Sequence, residues 1–179
     1  MNLHEIDNRL IRFFDAAAGF LQEQSGLTMA LILREISMAA MFAFAFLVYA
    51  FSVTGNWFYL AIYVPFAASG VTTIVRDYRK HKANAEKDWT ESLARKYLID
   101  ADLKRTVYGT QRFLVFGLLA FFVVMTEFGG SSVLHMENFS ILLLFTVFGM
   151  REYVACAHPR PPGSRSRQSQ GSLGFGGAH

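Results

Sequence analysis

The chain has a single cysteine, Cys156, among 179 residues, so no disulfide can form within it. Proline is nearly as scarce. Three of its four prolines fall at 159–162, which leaves Pro65 as the only one placed to interrupt a helix earlier in the chain. Charge is thin too: 17% of residues are charged, against about 25% in an ordinary soluble domain. The N-terminus offers no uninterrupted apolar stretch, because Glu5, Asp7, Arg9, Arg12 and Asp15 break it up, and a cleaved signal peptide is not expected. No phosphate-binding glycine loop, nucleophile elbow or zinc-protease signature occurs, and no nucleophile–base pair stands out. The chain is accordingly expected not to be an enzyme, and no cofactor is expected.

What is abundant is apolar surface. The chain is 53% hydrophobic and 15% aromatic, with a mean hydropathy of +0.27. A chain this short cannot hide so much in one small core. Four runs, 36–54, 57–75, 113–128 and 133–150, carry most of it, the last interrupted by Glu137 and Asn138. At ~1.5 Å per residue the longer two reach roughly 28 Å, close to the hydrocarbon thickness of a bilayer. The first two are joined by Gly55 and Asn56 and the last two by residues 129–132, short joints of the kind that make antiparallel helical hairpins.

The basic residues give an orientation. Lys and Arg number three in residues 1–35, ten in 76–112 and four in 151–179, and none falls in either hairpin tip. A positive pI near 9.1 would also suit nucleic acid, but residues that flank apolar runs in this way fit the positive-inside rule better. The expected architecture is an all-α integral membrane protein. It has four transmembrane helices in two hairpins, with both termini and the middle loop cytoplasmic, in the inner membrane, and with the bilayer as a partner and nucleic acid not one.

Five segments follow: an amphipathic helix in 1–26, a first hairpin in 27–75, a basic helical loop in 76–112, a second hairpin in 113–158, and a Pro/Gly/Ser/Arg tail in 159–179. In the first, Leu3, Ile6, Leu10, Phe13, Phe14, Ala17, Phe20 and Leu21 recur at steps of three and four, which predicts a helix over 2–22 lying in the membrane interface or packed on a partner or the middle loop. In the loop, 83–103 lacks Pro and Gly, and Trp89, Leu93 and Tyr97 share one helical face. The tail is too polar to fold alone.

A shift of 75 residues lays 35–78 over 110–153 without a gap. It aligns Gly55 with Gly130 and Arg76-Asp77-Tyr78 with Arg151-Glu152-Tyr153. That pattern reads either as a tandem duplication or as chance similarity between apolar segments with Arg and Tyr at their inner ends.

Two groups of residues are candidate sites. Arg34, Glu35, Arg76, Asp77, Arg151 and Glu152 sit at the inner ends of the apolar runs, as interfacial anchors or as a ring of charge pairs that locks the bundle. Glu127, His135 and Glu137 gather at the outer end, with one histidine and no metal-ligand spacing, so no metal is expected. Ala39 and Ala43 mark a small-residue packing face. The function this suggests is a non-catalytic accessory, scaffold or assembly subunit of a larger membrane complex, with a membrane-protein partner or a second copy of itself. The alternatives are a small oligomeric transporter or channel, and a holin-like or membrane-remodelling or exclusion protein.

Overall fold

The computed structural model describes residues 3–55, 57–107, 109, 112, 115, 117, 119, 123–124 and 135–161. Among them the regular structure is helical: α1 (Leu3–Ser25), α2 (Met29–Val53), α3 (Trp57–Ala85), α4 (Glu91–Val107) and α5 (Met136–Val154), with no strand. The third apolar run, the second hairpin tip, Glu127, Gly130 and the tail beyond Pro161 lie outside the described residues, apart from the single positions named above.

Local sequence sets most boundaries. Gly26 adopts a φ of 66° just past the end of α1, the left-handed position that stops a helix cheaply only when glycine fills it. Thr28 then caps α2, its hydroxyl accepting from the backbone N–H of Leu31 at 3.3 Å. Gly55, at φ 71°, turns the chain between α2 and α3.

The polar loop differs from its expectation. α3 does not stop at residue 75; it continues without a break to Ala85, through Pro65 and past the last residue of the apolar run. The helix expected over 83–103 is interrupted at 86–90. It restarts where Thr90 Oγ accepts from the N–H of Leu93 at 3.3 Å. Trp89 therefore leaves the helix. Its ring packs 5.6 Å from that of Tyr97, and its Nε1 donates to the carbonyl of Arg160 at 3.1 Å.

α2 is the central element, packed against α3 and α5, while α1 packs on α5 and on α2. Ser37, Ala40, Ala43, Leu47 and Ala50 form the buried face of α2, mostly small side chains that let neighbouring backbones approach. The small-residue register is thus set by Ala40 and Ala43; Ala39 is exposed. The opposite face leaves large apolar residues uncovered. Phe42, Tyr49 and Val53 are 68%, 60% and 61% exposed.

Two apolar clusters hold the molecule together. One joins Ala18 of α1, Met29, Ala30, Ile32 and Leu33 of α2, Tyr97 of α4 and Val154, Ala155 and Ala157. The other joins Leu47 and Phe51 to Ile141. α2 is the one helix among the described residues that is long and apolar enough to cross a membrane, with a mean hydropathy of 2.1 in its most apolar stretch. At 25 residues it spans about 37 Å.

Candidate functional site

Charged side chains converge where the start of α2, the end of α3, α4 and the end of α5 meet. The central one is Arg112, whose side chain is 1% exposed. Its guanidinium lies 3.1 Å from Asp7 Oδ2 and 3.4 Å from Asp7 Oδ1, on α1. It also donates to the carbonyls of Lys104 at 2.6 Å and Arg105 at 3.2 Å. Both carbonyls belong to the last turn of α4, where helical C=O groups lack intrahelical partners, so Arg112 caps α4 with a cation where the helix dipole favours one.

Tyr153 completes the group. Its hydroxyl donates to Asp7 Oδ1 at 2.7 Å, Phe14 stacks on its ring at 5.5 Å, and the Arg112 guanidinium carbon sits 5.8 Å from its centroid. Burial, followed by the bond to Asp7, pushes the Tyr153 phenol above its usual range, so it stays a donor. Cys156 accepts from Arg112 at 3.2 Å and donates to the carbonyl of Glu152 at 3.2 Å, and burial raises its thiol, which leaves it protonated in place.

The same side of α1 is tied down along its length. Asp15 Oδ1 accepts from the backbone N–H of His158 at 2.7 Å and lies 3.2 Å from Arg105 Nη2, within charge attraction but without hydrogen-bond alignment. Gln22 Oε1 accepts from the N–H of Arg160 at 2.8 Å. Asp7, Asp15 and Gln22 recur every seven or eight residues, so one polar stripe of α1 meets the body while Phe13 and Phe20 stand 64% and 62% exposed. The amphipathic helix is docked on its own chain, and part of its apolar stripe is left uncovered.

The inner-end residues divide three ways. Arg151, 6% exposed at its side chain, pairs with Asp77 across from α3 and with its neighbour Glu152 at 2.5 Å. Arg34 pairs with the adjacent Glu35, a half-exposed contact of the kind that adds little stability. Arg76 is exposed and forms no ion pair among the described residues. The two aligned triads therefore differ: Arg151 and Tyr153 are buried, Arg76 is exposed and Tyr78 half-buried. Of the outer cluster, His135 is exposed at the N-cap of α5 without a side-chain capping bond, and Glu137 follows in the first turn. No cluster of metal-ligating side chains occurs among the described residues.

Arg76, Asp77, Lys80, Lys104, Arg151 and Glu152 help line a cleft of about 220 Å³ between α2, α3, α4 and α5. His81 and Tyr97 form part of its wall. Tyr97 OH accepts from Asn84 Nδ2 at 3.2 Å and lies 2.8 Å from His81 Nδ1. A buried phenol with one donor gives it to the acceptor at hand, so His81 accepts at Nδ1 and carries its proton on Nε2.

Burial lowers the His81 pKa to about 4 from 6.5; Asp77 opposes the shift, and Lys80, Lys104 and Arg151 add to it. The folded chain thus refuses a proton that the unfolded chain accepts. The stability this confers is fully present above pH 6.5 and declines as the pH falls toward 4, by up to ~1.4 kcal/mol per unit. The melting temperature should drop between pH 6.5 and 5, and His81→Gln should flatten that drop. Parallel slopes in the two proteins would show that His81 is not its source.

Sequence pattern does not single out Arg112 as a site residue. The signal that points to it lies on α1, where Asp7 and Asp15 fall on one face beside an apolar stripe and require buried cations once that face is covered. Comparison with protein-family models, curated proteins and solved structures finds no match.

Proposed function

We propose that this chain is a four-span inner-membrane protein with both termini and the 76–112 loop cytoplasmic, and that it serves as a non-catalytic accessory or scaffold subunit of a larger membrane assembly. The observation that carries the membrane reading is the large apolar surface that α2 leaves uncovered. Phe42, Tyr49 and Val53 face outward. Only 33% of its most apolar stretch is buried, where the core helix of a soluble protein would be mostly covered. Lipid or a partner helix is the natural cover for such a face.

The scaffold reading is supported by the contacts that fasten the basic end. α1, the end of α3, α4 and residues 151–160 are fastened into one charged unit on the basic side, a rigid platform next to an apolar bundle. A transport path gains less support. Ser52 and Thr54 donate to the carbonyls of Val48 and Ala50 within their own helix, at 2.7 and 3.0 Å, which satisfies their hydroxyls locally. Ser69 and Thr126 offer no test, since their side chains lie outside those described.

Reporter fusions should place residues 1, 90 and 179 on one side of the membrane and 56 and 131 on the other. Residue 90 on the outer side would sink the topology. Native mass measurement after extraction in mild detergent should find a stoichiometric membrane partner or a homo-oligomer. A bare monomer would count against the scaffold.

A further inference from the structure

We propose that the cleft at the basic end binds a small phosphate-type anion between Arg76 of α3 and Lys104 of α4. Charge within this one cavity is unbalanced. Four cations line it, Arg76, Lys80, Lys104 and Arg151, together with three carboxylates. Every carboxylate is already engaged. Arg151 holds Asp77 and Glu152, and Lys80 holds Asp100 at 2.8 Å. Arg76 and Lys104 have no ion-pair partner among the described residues, and because Arg151 serves two carboxylates the lining as a whole carries a net charge of +1. His81 adds no negative charge to offset them.

Two cations sharing one recess repel each other, and an anion between them removes that repulsion. A guanidinium offers a planar fork to phosphate oxygens and an ammonium a compact point charge, a pairing suited to one tetrahedral anion. Size narrows the ligand further. At about 220 Å³ the cleft is smaller than the ~300 Å³ at which pockets for drug-sized ligands begin, a size that suits a small anion or a single head group.

Two sources share this chemistry. Arg76 is the first residue beyond the apolar run 57–75, which sets it at the level of the head groups, so one source is an anionic phospholipid. The other is inorganic phosphate from solution. The lipid source rests on the membrane reading; the inorganic-phosphate source does not, so a failed topology would remove the first and leave the second measurable.

The full chain, purified in a neutral detergent, is titrated with inorganic phosphate against chloride at equal ionic strength, and separately with phosphatidylglycerol against phosphatidylcholine. The readouts are melting temperature and lipid retained in native mass spectra. One of the two anionic probes should raise the melting temperature in a saturable way. Removing one charge-assisted hydrogen bond to the anion raises the half-saturating concentration by a factor of about ten or more, so Arg76→Gln and Lys104→Gln should each shift it by at least that. Arg79→Gln, exposed on the same helix and outside the cleft, should leave it unchanged. A response to phosphatidylglycerol alone names the lipid; a response to phosphate names the soluble anion. Each variant is referred to its own ligand-free melting curve, and Lys104→Gln stands independently if Arg76→Gln fails to fold. The proposal is overturned if neither probe acts, if both cleft variants respond like the parent chain, or if Arg79→Gln weakens the response as much as they do.

Discussion

Arg112→Met should lower stability by about 3–5 kcal/mol, the range found when one partner of a buried ion pair is removed. For a chain of this length that corresponds to a melting temperature lower by roughly 10 °C. The size follows from how much one guanidinium satisfies. Without it Asp7 keeps only the Tyr153 hydroxyl, the carbonyls of Lys104 and Arg105 lose their donor, and Cys156 loses a partner.

Asp7→Leu should cost less, because Arg112 retains the two carbonyls. The double change should fall well short of the sum of the two singles, since it removes the uncompensated charge while the carbonyls stay unpaired at ~1 kcal/mol each. Arg112→Lys should rescue only in part, because a single ammonium cannot span a carboxylate and two carbonyls at once. Simple additivity of Asp7→Leu and Arg112→Met, read by thermal or chemical denaturation in detergent, would show that the two residues are not coupled.

This network also shows where the sequence is legible. The helical character of α1 follows from apolar periodicity and that of α2, α3 and α5 from their apolar runs; Gly26, Thr28 and Gly55 mark the α1–α2 and α2–α3 junctions, whereas the extension of α3 to Ala85 follows from none of them. The side of the chain that gathers charge follows from the distribution of Lys and Arg. Which charges are buried does not follow, because burial depends on what crosses over them. Arg112 looks like any basic residue flanking an apolar run. It is buried because α1 folds across it, a contact 105 residues away in sequence. Trp89 shares a helical spacing with Leu93 and Tyr97, yet it sits outside the helix because its indole N–H reaches Arg160. Periodicity alone assigns the α1 polar stripe to water, whereas Asp7, Asp15 and Gln22 hold the helix to residues 112, 153, 158 and 160. Local pattern gives a helix its faces; it does not say which face the rest of the chain will cover.

The aligned triads supply the sharpest test of that distinction. Arg76 and Arg151 are equivalent in sequence and would be equivalent in effect if their role were only to anchor helix ends on the cytoplasmic side. Their surroundings predict otherwise. Arg151→Met leaves Asp77 and Glu152 largely buried and without their ion-pair partner, and should cost about 3–5 kcal/mol. Arg76→Met removes an exposed side chain without an ion pair among the described residues and should change stability by no more than about 0.5 kcal/mol. Adding Asp77→Leu to Arg151→Met should recover part of the loss, because one stranded carboxylate goes with it. The cause of the asymmetry lies after the triads and not in them. Beyond Tyr78 the chain continues as helix to Ala85; beyond Tyr153 it turns and runs back over α1 through residues 155–160, closing the space around Arg151 and Tyr153. Equal losses for the two arginines would return them to the role of interchangeable anchors. A large loss confined to Arg151 would assign it to the ion pair that ties the end of α5 to α3.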